Sequence, residues 1–182
     1  MKKNLKNSLS LIFFLAHLFI APTLRASDVH LIIPEHITPL SMGSYLEYVI
    51  DTNNAINIQN IPYIKELSRS DRDIPNYNAG TNPIWYKCTL INHSENDVFL
   101  INVANPSLDY IAFYYPTTNG QWDSTVYGNN LPFNVRKYDE ANYLFDIRIP
   151  QQDTVVVFFK LVSSDISRFP ASIGKTEAIF SV

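Results

Sequence analysis

The chain has a single cysteine, Cys88, so no disulfide can form within it. Very small exported domains depend on such staples, but 182 residues can bury a core large enough to do without them. Glycine numbers only 5 and histidine only 4, and no phosphate-cradling glycine loop or histidine pair at metal-ligand spacing is found. Gly-x-Ser-x-Gly and His-Glu-x-x-His are absent too, so neither a serine-hydrolase elbow nor a zinc-protease helix is written into the sequence. No cofactor is expected. After the N-terminal segment, no run reaches the ~18 consecutive apolar residues of a membrane-spanning helix.

Basic charge is scarce where it would matter. Lys2, Lys3 and Lys6 precede an apolar stretch from Leu9 to Ala21, and Leu24-Arg25-Ala26 offers a small residue for cleavage. This is the layout of a secretory signal, so residues 1–26 are expected to be removed and the chain exported to the periplasm or cell surface. Without them, ten basic residues face seventeen acidic ones, a net charge of −7. A nucleic-acid partner would require a basic stripe, and none is present.

What remains, 27–182, reads as one all-β domain of about eight strands. Ile84–Asn92, Asp97–Asn105, Leu108–Tyr115, Tyr143–Ile149 and Thr154–Val162 are rich in β-branched and aromatic residues. Val29–Ile33, Tyr45–Ile50 and Ser167–Ile173 extend the series. Asn, Pro, Gly, Asp and Ser punctuate it about every ten residues, the rhythm of an antiparallel sandwich. Only Ile61–Leu67 suggests a helix, and Ser68–Asn82 reads as a long surface loop. Alternation assigns Ile84, Tyr86, Cys88 and Leu90 to the core face and turns Trp85, Lys87, Thr89 and Ile91 to the other. Tyr143, Phe145, Ile147 and Ile149, with Val155, Val157, Phe159 and Leu161, make the matching apolar layers. Cys88 is thereby a buried filler.

Trp85 beside Lys87 on the non-core face is the sharpest local feature. A flat indole stacks on the apolar face of a sugar ring, and a nearby cation orients its hydroxyls or a carboxylate. The competing reading packs Trp85 between the sheets. Arg136, next to Lys137 and Tyr138, either grips an anionic ligand group or caps carbonyls. Trp122, after the Asn119-Gly120 turn, is placed at a rim, and Asp51, ending a strand, either contacts ligand or bonds local amides. Acid pairs such as Asp71 and Asp73, or Asp139 and Glu140, show no sign of converging as a glycosidase requires. Oxygen-rich turns leave room for a structural calcium. Asn92-His93-Ser94 fits the N-glycosylation pattern, a short match that chance often supplies.

Several stretches, taken in order and spacing, carry a resemblance: Ser44–Asp51, Asn78-Ala79-Gly80 before Ile84-Trp85-Tyr86-Lys87, Asn105–Ile111, Tyr114 with the Asn119-Gly120 turn, Gly128 before Leu131–Arg136, and Phe158–Ser164. The sequence resembles the type 2 extracellular sensor domain of bacterial seven-transmembrane receptors with diverse intracellular signalling modules, the 7TM-DISM family. The resemblance implies a jelly-roll β-sandwich similar to carbohydrate-binding modules, set outside the membrane. It would pass ligand occupancy through seven membrane helices to a cytoplasmic cyclase or kinase. Lys87 stands where the family often has arginine, which replaces a bidentate grip with a point charge. Family members continue into the membrane helices, so a chain ending at Val182 is expected to be a truncated or stand-alone relative, or the product of an incomplete coding sequence. The expected function is non-catalytic binding of a small, saccharide-like extracellular ligand. The alternatives are a protein-interaction domain working through its sheet edge or aromatic face, and a small glycoside hydrolase.

Overall fold

The computed structural model describes residues 29–36, 39–164 and 168–181. The expected signal segment lies outside them. Among the described residues the strands are β1 (His30–Ile33), β2 (Leu40–Ser41), β3 (Leu46–Ile50), β4 (Ser68–Arg69), β5 (Ile84–Asn92), β6 (Val98–Val103), β7 (Tyr110–Pro116), β8 (Trp122–Tyr127), β9 (Tyr143–Arg148), β10 (Thr154–Val162) and β11 (Ala171–Gly174). One short α-helix, α1 (Thr176–Phe180), follows.

They form two sheets. The larger runs β4-β3-β5-β10-β7-β8, with β1 also joined to β5, and the smaller runs β2-β11-β6-β9. From β5 onward the chain passes repeatedly from one sheet to the other, as a jelly roll does. β5 is the organising strand. β10 pairs antiparallel along one side of it, while β3 (antiparallel) and β1 (parallel) share the other side end to end. All other pairings are antiparallel among the described residues.

The core between the sheets is the one alternation predicts. Ile84, Tyr86, Cys88 and Leu90 meet Phe145, Ile147, Val157, Phe159 and Leu161, all buried. Phe113 packs within 5.3 Å of Phe145 and 4.9 Å of Phe159, centroid to centroid. Each large apolar side chain sealed in this way stabilises the fold by roughly 1.5–3 kcal/mol.

Several expectations need correcting. Among the described residues there are eleven strands against about eight expected, because β2 and β4 are only two residues long and β8 is an edge strand. Asp123 and Ser124 of β8 face water, so its apolar signal is diluted. The helix expected over Ile61–Leu67 is a single 3-10 turn at Ile61–Tyr63, with Pro62 near its start. Ser68–Asn82 is not all surface loop: it opens with β4, Ser70 donates its N–H to Leu46 O (2.8 Å), and Ser70 and Ala79 are buried. The closing strand is Ala171–Gly174; residues 165–167 lie outside the described residues.

Candidate functional site

The outer face of the larger sheet carries the side chains that alternate with its core set. Trp85 stands opposite Lys160, Lys87 opposite Phe158, and Phe158 opposite Tyr114. That face is covered. Between β3 and β4 the chain makes a long excursion, residues 51–67, which lies across it as a strap. Asp51, buried at the end of β3, shapes the entry: its Oδ1 accepts the Ala55 N–H and its Oδ2 the Ile56 N–H, each at 2.9 Å. Asn60 tightens the middle, accepting from Asn57 N–H (2.8 Å) and donating to Ala55 O (3.0 Å). Short polar side chains that bond nearby amides favour such compact loops. The strap's apolar residues, Ile56, Ile58, Ile61, Ile64 and Leu67, then close over Trp85 and Phe158 as a second apolar cluster.

Trp85 therefore does not sit open to ligand. Alternation assigned its face correctly, yet the indole is only 1% exposed because the strap seals it. Tyr114 stacks on it at 5.5 Å and the Lys160 ammonium sits 5.4 Å from its ring centre. Its Nε1–H, though buried, has no hydrogen-bond partner among the described residues. Lys87 is engaged as well, its Nζ 2.7 Å from Glu47 Oε2 on the neighbouring strand, with both side chains about three-quarters buried.

The remaining predicted residues scatter. Asp51 is the amide-bonding turn former. Arg136 lies between the rings of Phe133 and Tyr143, 4.6 Å from each centroid, and donates from Nη1 to Glu140 O (2.9 Å) and Ala141 O (2.7 Å). It caps carbonyls instead of presenting a free guanidinium. Tyr138 donates its hydroxyl to Asp146 (2.7 Å), which also receives Lys137 Nζ (2.8 Å), and its phenol pKa is raised first by burial and then by that carboxylate. Asn92, of the glycosylation-like triplet, is fully buried and donates to Asn96 O and Ile149 O, so it is closed to modification. Cys88 is buried, and burial pushes its thiol pKa up to about 12.

Arg136 and Tyr138 line only a shallow crevice with Tyr127, Asn142 and Leu144, whereas Trp122 borders a roomier groove. A groove of about 500 Å³ runs between the strap and the β7–β8 turn, walled by Gln59, Pro62 and Tyr63 on one side and Gly120, Gln121 and Trp122 on the other. The turn is fixed by Thr117, whose N–H and hydroxyl both reach Gln121 O (2.7 and 2.8 Å), and by Gly120 at φ +77°, a conformation that favours glycine. Trp122 is half-buried, braced edge-on by Phe158 at 5.3 Å. Tyr63 stands 81% exposed on the opposite lip. Sequence reading missed Gln59, Tyr63 and Gln121. The available signal was the run Ile56, Ile58, Ile61, Ile64, Leu67 in an otherwise polar stretch, the mark of one face lying on something.

No helix of the described residues is long and apolar enough to cross a membrane. No curated protein matches the sequence. Among solved structures, the enzymatically active domain of bacteriophage CBA120 tailspike protein 4 aligns with a TM-score of 0.35 at 13% identity, over 76% of this chain and 21% of that one. The Clostridium perfringens chain CpGH89CBM32-6 aligns with a TM-score of 0.31 at 14% identity, over 75% of this chain and 98% of that one. Residues 43–175 match the family described as 7TMR-DISM extracellular 2, and at that coverage the chain belongs to this family of extracellular sensor domains of seven-transmembrane receptors.

Proposed function

We propose that residues 27–182 form the single, exported sensor module of such a receptor, and that it binds a small, uncharged, saccharide-like ligand in the strap–turn groove without transforming it. The observation that carries this reading is the make-up of the groove walls. Two aromatic side chains, Tyr63 and Trp122, offer flat apolar surface, and two primary amides, Gln59 and Gln121, offer donors and acceptors. Aromatic faces with a few orienting amides suit the mixed apolar and hydroxyl surface of a sugar ring. The lining holds no acid, histidine, cysteine, lysine or arginine, which favours a neutral ligand and binding over turnover. A volume of about 500 Å³ lies within the range of small-molecule sites. In a receptor continuing into membrane helices, occupancy would be relayed to a cytoplasmic cyclase or kinase through the module's differential affinity for two receptor states.

Thermal-shift screening against neutral sugars and small organic acids tests this. A neutral sugar should raise Tm, since stabilisation grows with occupancy. Tyr63→Ala should abolish that rise while leaving the Tm of the free protein unchanged, because an exposed side chain contributes little to stability. Stabilisation by organic acids alone, or by a sugar whose effect survives both Tyr63→Ala and Trp122→Ala, would show that the groove is not the site.

A further inference from the structure

The strap has an unusual way of being attached. Among the described residues, every hydrogen bond made by residues 52–66 ends within residues 50–64: Thr52 N–H on Ile50 O, Ala55 and Ile56 on the Asp51 carboxylate, Ile61 N–H on Asn57 O, and Ile64 N–H on Ile61 O. At the hinge Thr52 bonds Ile50, the end of β3, and Asp51 donates its N–H to Pro83 O (2.8 Å); beyond the hinge none reaches the strands beneath. Beyond Asp51 the strap is thus ordered internally and docked by apolar contact alone, through Ile56, Ile58, Ile61, Ile64 and Leu67. Apolar contact is non-directional, so the strap beyond Asp51 can leave the sheet without orphaning a backbone donor or acceptor. The sheet side matches this: Trp85 Nε1–H lies buried beneath with no partner to give up. The same strap supplies Gln59, Pro62 and Tyr63 to the groove, while Phe158, under its apolar side, braces Trp122 on the groove's far wall.

We infer that residues 52–67 of the strap are the moving part of this sensor, hinged at Asp51, lifting from Trp85 as a unit when the groove is empty and clamped onto the sheet when ligand bridges Tyr63 and Trp122. This rests on the groove being the ligand site. Segments that dock through few directional bonds open at free energies well below global unfolding, which is what a ligand-responsive element requires. Ligand favours the closed state by its differential affinity for it.

The test is solvent exchange of the Trp85 indole Nε1–H by NMR in the 15N-labelled protein. The protein has only two indole signals, and Trp122→Phe assigns them. Trp85 Nε1–H should exchange on the order of 100-fold faster than the backbone amides of Tyr86 and Cys88 in β5. Ile61→Ala, or the milder Ile61→Val should the first not fold, should speed the indole without speeding those amides. The neutral sugar that raises Tm in the thermal screen should slow it. Indole exchange no faster than that of the β5 amides means the strap opens only with the whole domain, and overturns the inference. A sugar that raises Tm yet leaves indole exchange unchanged overturns the inference and spares the groove. A screen in which no neutral sugar raises Tm overturns the groove and, with it, the inference.

Discussion

Trp122 meets Phe158 edge to face, ring centroids 5.3 Å apart and planes at 71°. Phe158 belongs to the same apolar cluster as Trp85 and Ile61, so the wall of the groove and the underside of the strap share one side chain. Changes made on this outer face should register in both ligand binding and strap docking, whereas changes elsewhere should register in stability alone.

Trp85→Ala should cost about 3–5 kcal/mol of unfolding free energy, the range for emptying a large buried aromatic site. Natural domains hold only about 5–15 kcal/mol in total, so urea denaturation should show a greatly lowered midpoint. Trp85→Phe should recover most of the loss. A Trp85→Ala protein as stable as its parent would mean that the strap does not seal the indole.

Asp51→Ala should cost about 1–3 kcal/mol, because two amide donors lose their acceptor together. Asp51→Asn, which retains one acceptor oxygen, should fall between. Both variants should red-shift the Trp85 emission as the strap loosens. Equal stability of all three proteins by urea titration would contradict the anchoring role.

Arg136→Ala should destabilise by about 1 kcal/mol, through loss of two carbonyl contacts and two ring contacts on a partly exposed loop. It should leave ligand binding untouched. A Tm response to carboxylate ligands that disappears in this variant would restore Arg136 as a recognition residue.

Alkaline pH should unfold the domain before the sheet hydrogen bonds alone would suggest. Burial pushes the Tyr114 phenol from 10.0 to about 12, with Tyr110 adding to the shift, and pushes the Cys88 thiol from 9.0 to about 12. In both cases the fold favours the neutral form. The stabilisation is full below the ordinary values and is lost as pH rises toward the folded ones, because the unfolded chain releases its protons first. Urea midpoints should therefore hold level up to about pH 9 and decline between roughly 9 and 12, less steeply in Tyr114→Phe. Cys88 should resist thiol reagents at about pH 8 until the chain unfolds.

Much of this molecule was legible in the order of its residues. A strand turns successive side chains to opposite faces, so the alternation along Ile84–Leu90 and Tyr143–Ile149 was enough to separate core from non-core positions. Punctuation by turn residues placed β5 and β10 to the residue. The short strands escaped because two residues carry no period, and β8 because an edge strand shows polar side chains to water.

What the sequence alone determined was which way Trp85 points; what lies over it was decided by tertiary structure. Periodicity is a local property of one strand, while cover depends on where a distant segment is folded back. The 51–67 strap, shaped by Asp51 and Asn60, buries the indole that alternation had turned outward. It also brings Gln59 and Tyr63 face to face with Gln121 and Trp122, a meeting that no spacing in the chain encodes.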